Sequence, residues 1–154
     1  MSANNSEPTK LIAQNKKARF NYEILETLEC GIELKGTEVK SVKAGKLSFS
    51  DSFIIVKNNQ LLVQGLHISP YNFGNIFNHD PDRKKRLLAH KEEIIKLKRK
   101  IDEKGLSIVP ISFYLKRGKV KVLIGVGRGK KLHDKRETIK ARDIKKAVAR
   151  ELRN

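Results

Sequence analysis

From Tyr22 the chain alternates. Tyr22, Ile24, Leu28, Cys30, Ile32 and Leu34 fall on one side of a period-two pattern, with Glu23, Thr27, Glu29 and Glu33 on the other. That pattern predicts a half-buried strand, ended by Gly36. Thr37 to Ala44 predicts a short helix: Thr37 can cap it, Val39 and Val42 share a face, and Gly45 stops it. Two strands follow, about Phe49 to Lys57 and Leu61 to Ile68. Asn58-Asn59-Gln60 separates them, and the asparagines tolerate the positive φ of a tight hairpin. Ser69-Pro70 breaks the second strand, residues 71–82 read as an irregular loop, and Arg83 to Ala89 as a short returning strand.

Lys91 to Lys104 predicts the main helix of the body. Ile94, Leu97 and Ile101 recur at three and four, with Ile95 beside them; Glu92 and Glu93 favour its start and Gly105 stops it. Leu106 to Leu115 and Lys119 to Val126 alternate on either side of Lys116-Arg117-Gly118. Pro110 belongs at an edge or a bulge because it has no N–H for the ladder. About six short antiparallel strands interrupted by a helix suggest a closed barrel of OB type, mainly β with helices. The rival, a four-stranded sheet of RRM type, requires βαββαβ order and stacking aromatics on its central strands, and neither is present.

Charge changes the picture. The 154 residues carry a net +17; residues 128–154 hold 11 Lys/Arg against 4 Asp/Glu, or +7, which leaves +10 on the first 127. Cations at this density seek a polyanion, most often a phosphate backbone. No apolar run approaches the roughly 20 residues of a spanning helix, no apolar signal core opens the chain, and a cytoplasmic home without membrane partners is expected. The expected division is a flexible leader (1–12), an RNA-binding barrel (13–129) and a basic tail (130–154).

The stretch GRGKKLHDKRE, from Gly127 to Glu137, opens that tail. Asp134 and Glu137 have the spacing of a reciprocal helix cap, and Ile139, Ile144, Val148 and Leu152 drift along one helical side. The stripe is thin and the charges repel. The expectation is a tail disordered when free and folding along RNA; the alternative is a C-terminal helix docked on the barrel.

Other groups have plain structural readings. Cys30 reads as a small core side chain. His79-Asp80-Pro81-Asp82 reads as an Asx-Pro turn, since no second His/Cys cluster supplies further metal ligands. Gly125, Gly127 and Gly129 resemble a phosphate loop but lack the lysine-serine pair, so they read as the end of a strand and a hinge for the tail. Arg83 to Arg86, with the lysines of the following helix, reads as a phosphate-facing patch. Asn15 to Phe20 places three cations beside an aromatic, which suits an RNA backbone with a stacked base. No catalytic constellation, cofactor or metal is expected.

NKKARFNYEILET, GIELKGTEVKSVKAGK, DSF, HISPY, FNHDP, KGL and GKKLHDKRE occur in this order. Together these blocks resemble the transfer-messenger RNA-binding family, small protein B or SmpB (the SsrA-binding proteins). The resemblance covers about nine-tenths of the chain. It implies an OB-like barrel without catalytic activity, monomeric in its RNA complex. That barrel would bind the tRNA-like domain of transfer-messenger RNA and accompany it into stalled ribosomes for trans-translation. The family's RNA-contacting positions fall on Asn15, Lys16, Lys17, Glu29, Leu88 and His90, with Glu38 and Lys40 in a characteristic surface block. Its ribosome-facing segment falls on Gly129, Lys130, Lys131, His133, Asp134, Lys135 and Arg136, in the empty mRNA path near the decoding centre. Ala89 and Cys30 stand where the family commonly has leucine and alanine.

Overall fold

The computed structural model describes residues 8–71 and 78–130 and, in the tail, residues 136, 139, 140 and 142. Its elements are β1 (Thr9–Gln14), α1 (Lys16–Asn21), β2 (Tyr22–Ile32), α2 (Gly36–Lys43), β3 (Leu47–Ser48), β4 (Phe53–Lys57), β5 (Gln60–Gln64), β6 (His67–Ile68), β7 (Lys85–Leu88), α3 (Lys91–Lys104), β8 (Ser107–Lys116) and β9 (Lys119–Gly129). The antiparallel order β8-β4-β5-β7-β2-β9 returns to β8 and closes a six-stranded ring. β4 joins β8 only at Ile54↔Ile108, while β1 pairs with residues 112–116 along the same edge of β8. Closure hides edges that would otherwise template aggregation.

Register decides what lies inside. Phe113, Val122 and Cys30 stand opposite one another on β8, β9 and β2, and all three are buried in the core with Leu61, Leu87 and Ile124. Cys30 is 1% exposed, and burial pushes its thiol up to about 12, so it stays a neutral packing group. Helix α3 has the predicted bounds and adds Ile94 and Leu97 to this core, but Ile95 faces solvent. Asn58 and Asn59 both have positive φ and make the two-residue β4–β5 turn. Pro110 sits at a bulge in the β8–β9 ladder, as its missing N–H requires.

Several expectations change. The leader expected to be loose through residue 12 is strand β1 from Thr9, and the basic Asn15 segment continues as helix α1. Thr37 does not cap α2. The cap position is Lys35, whose N–H donates to the Glu38 carboxylate at 2.7 Å, while the Thr37 hydroxyl meets His79 Nδ1 at 2.8 Å. The strand expected over residues 61–68 is two strands, broken at Gly65 (φ +79°), where a Cβ would also press on Ser52 Cα at 3.1 Å.

Gly125 and Gly127 do not end a strand. Both lie inside β9 between β2 and β8, and a Cβ at Gly127 would stand 2.1 Å from Glu23 O. The cation run from Arg83 is not a uniform surface patch either. Lys85 is fully buried, with Nζ donating to Leu66 O at 2.9 Å, and Arg83 forks onto Glu38 at 2.6 and 3.2 Å; only Lys84 and Arg86 are exposed.

Among the described residues no three His, Cys, Asp or Glu side chains gather as a metal site. His79 is instead a buried brace. Its Nε2 must carry the proton, because it lies 2.9 Å from the Ile68 carbonyl, which can only accept; Nδ1 then accepts from Thr37. The Asp82 N–H donates to Asp80 Oδ1 at 3.0 Å, the expected Asx turn.

Candidate nucleic-acid interface

One residue outward from the buried row lies its solvent-facing counterpart. Tyr114 of β8 is opposite Lys121 of β9, Lys121 opposite Gly31 of β2, and Gly31 opposite Leu88 of β7. Alternation places Glu29, Arg86, Lys116 and Lys119 on the same outer face, two residues along each strand. The barrel thus presents lysines and an arginine around one carboxylate and one bare leucine. Leu88 is 47% exposed. Its partner is Gly31, where a Cβ would lie 3.3 Å from Leu88 Cβ, so the glycine leaves that side chain room. Beside it Leu34, Val39, Lys43 and Lys119 help line a groove of about 360 Å³. His90 follows two residues later, exposed at the start of α3, its backbone N–H capped by Glu93 at 3.0 Å.

The carboxylate on this face is held in place. The Tyr114 hydroxyl donates to Glu29 Oε2, and Lys116 Nζ lies 3.3 Å from Oε1. The Tyr114 hydrogen bond, opposed by partial burial and assisted by Lys116, keeps the Glu29 carboxyl below its ordinary 4.5. Burial, then Glu29 itself, raises the Tyr114 phenol. Tyr114 is therefore a fixed donor and Glu29 a fixed acceptor at neutral pH. An ionised carboxylate can read an amino or hydroxyl donor and repels a bare phosphate.

The other expected contacts fall elsewhere. Lys16 and Lys17 are exposed on α1. This helix is tied to β8 by the Asn15 N–H on Ile111 O (2.7 Å) and Asn15 Nδ2 on Pro110 O (2.9 Å), carbonyls at the bulge. The tail leaves beside it: Gly129 pairs with Tyr22, and the Lys130 N–H donates to Asn21 O at 2.8 Å. Lys40 is exposed on α2, its Nζ 5.4 Å from the Tyr71 ring centre.

Two expected contact residues are interior. Glu38 is 0% exposed. Burial alone would raise its pKa, but Arg83 and the Lys35 N–H hold it below 4.5. Its place is in a buried ion pair that pins α2 to β7's approach, so the expectation of direct RNA contact is corrected to a structural role. Asn15, 7% exposed, likewise spends its amide on β8.

In the tail, Arg136, Ile139, Lys140 and Arg142 have helical backbone, and the Arg142 guanidinium lies 5.4 Å from the Phe20 ring centre. All four are exposed, and helical backbone at these residues is what the alternative expected. Lys131, His133, Asp134 and Lys135 lie outside the described residues. Lys121 and Tyr114 were not singled out from the sequence. The Arg117-Gly118 turn, with Lys116 opposite Lys119, would have put them across from each other; only the long-range β2–β9 register brings them to Gly31.

Comparison with known proteins agrees with this architecture. The SmpB protein family model matches residues 12–154. An SsrA-binding protein of Treponema denticola is 55% identical, covering 95% of both chains. Another, of Borreliella afzelii, is 52% identical over 93% of this chain and 95% of its own. A solved structure described as "tmRNA-SmpB: a journey to the center of the bacterial ribosome" superposes with a TM-score of 0.65 at 50% identity, covering 78% of this chain and 85% of that one. The chain belongs to the SmpB family of SsrA-binding proteins.

Proposed function

We propose that the protein binds the tRNA-like domain of transfer-messenger RNA and delivers it to stalled ribosomes for trans-translation, so that the nascent peptide is tagged for degradation and the ribosome released. The family membership supports the RNA partner, through relatives named SsrA-binding proteins and a solved relative described with transfer-messenger RNA and the ribosome. The observation that carries the reading is the outer row Tyr114–Lys121–Gly31–Leu88 with Glu29 beside it. It offers phosphate-screening cations, an apolar contact for an unstacked base and an oriented acceptor. RNA recognised by shape and exposed bases needs these three things.

Lys16, Lys17 and His90 add contacts at the margins. The tail, Gly129 to Arg136 and onward, is assigned to the ribosome, in the mRNA channel near the decoding centre, where it competes with mRNA for one volume. The protein acts as an adaptor in the cytoplasm, binds as one copy per RNA and carries out no chemistry of its own. Sequencing the RNA that copurifies from cells tests the reading: transfer-messenger RNA enriched above ribosomal RNA is the expected result. Ribosomal RNA alone would instead make this a constitutive ribosomal protein.

A further inference from the structure

The sequence block Asp51-Ser52-Phe53 has no part in the surface described above, yet the structure brings its first two residues to the root of the tail. There a cavity of about 350 Å³ is lined by Asn15, Lys17, Tyr22, Asp51, Ser52 and Gly129, among others. Its chemistry is mixed and unsatisfied. Ser52 is 6% exposed, and its Oγ has no hydrogen-bond partner among the described residues. Buried hydroxyls are almost always paired, so such a group marks a place where a partner is missing. Asp51 and Lys17 are exposed, and neither side chain makes an ion pair or hydrogen bond among the described residues. A carboxylate that only accepts and a free ammonium thus share one opening, above a buried hydroxyl that can do both, with Tyr22 as an aromatic wall.

We propose that this cavity is a subsite for one unpaired ribonucleotide of the bound RNA, its ribose hydroxyls on Asp51 and Ser52 and its phosphate on Lys17. The proposal rests on the RNA-binding reading above. The cavity lies at the small end of the roughly 300–1,000 Å³ range of ligand sites, enough for a single nucleotide. Asp51 argues against a simple anion site, because a carboxylate at the rim opposes a lone phosphate. It favours a sugar, whose hydroxyls donate, and the 2′-hydroxyl separates RNA from DNA. Gly129 forms part of the wall, and the next residue is pinned to Asn21, so an occupant here braces the chain where the tail departs.

The test is titration of the ¹⁵N-labelled full-length protein with AMP, CMP, GMP and UMP, their 2′-deoxy counterparts and inorganic phosphate. The backbone amides of Ser52 and Gly129 and the Asn15 carboxamide report binding. Saturable shifts with at least one ribonucleotide are expected, with affinity about fivefold weaker for its 2′-deoxy form and no saturation by phosphate. Asp51→Asn should erase the ribose preference, and Ser52→Ala should weaken binding. No saturation by any ribonucleotide, equal binding of phosphate, or unchanged behaviour of Asp51→Asn would overturn the proposal. Asp51 is exposed, so its variant decides the matter even if Ser52→Ala fails to fold. Wild-type binding to the tRNA-like domain, measured in parallel, reports on the RNA-binding reading separately. If that binding is absent the reading falls, and the nucleotide titration still judges the cavity.

Discussion

The proposed role of Glu29 requires its carboxylate to point outward as an acceptor, and Tyr114 and Lys116 hold it in place. Glu29→Gln should weaken binding to the tRNA-like domain about tenfold, since hydrogen bonds to charged groups contribute about 1.5–3 kcal/mol. Tyr114→Phe should cost about threefold, and the double variant no more than Glu29→Gln alone, because residues acting through one contact are not additive. Isothermal titration of the four proteins checks this; additive losses would mean that Tyr114 acts independently.

Glu38 belongs to stability. Glu38→Ala strands Arg83 and removes the anion that most favours the buried Lys85 ammonium, at a cost of about 3 kcal/mol. For a protein of this size that lowers the melting temperature by roughly 10 °C. Its folded pKa is depressed. Its contribution is therefore fully present above about 4.5 and is lost as pH falls through the lower folded value. In acid melts the wild type should lose stability over that window more steeply than Glu38→Gln. Alternation places Glu29 on the polar face of its strand, and the family resemblance alone points to Leu88. The sequence could not separate Glu38 from them, since burial depends on Arg83, 45 residues away.

Elements were legible where local signals agreed. Helix α3 has acidic residues at its start, an apolar stripe and Gly105 after it, and its observed bounds match the expected ones. Helix α1, six residues long, is too short for a periodic signal and is held by Asn15 on the β8 bulge. Strand β1 exists because β8 offers an edge, which no local pattern in residues 9–14 announces. Gly129 ends β9 as expected, but Gly125 and Gly127 lie inside it, because close packing of three strands is a long-range fact. Gly127→Ala should destabilise by about 3 kcal/mol, since the added carbon meets the Glu23 carbonyl and backbone must move. Gly129→Ala meets nothing within 4 Å and should be near neutral. Urea denaturation of the two variants separates these outcomes.

At the scale of the molecule, strand β2 sets the layout. Tyr22, beside the tail root, and Gly31, in the outer row, stand nine residues apart on it, on the order of 30 Å along the strand. One barrel therefore carries the outer row and the tail exit at separate ends of β2. The overall barrel and the charge split were readable from alternation and composition; which cations face outward was not, because Lys85 and Arg83 turn inward. Phosphate contacts make RNA binding fall with salt, so Lys121→Ala should reduce the slope of log K against log salt by about 1, whereas Glu29→Gln should leave it unchanged.

The central claim is that the body holds the RNA and the tail engages the ribosome. Ending the chain after Gly129 and measuring two activities of the same preparation tests it most directly. Affinity for the tRNA-like domain of transfer-messenger RNA should stay within about threefold of wild type, while peptide tagging on stalled ribosomes should vanish. Parallel loss of both activities, or tagging that survives the truncation, would contradict the account.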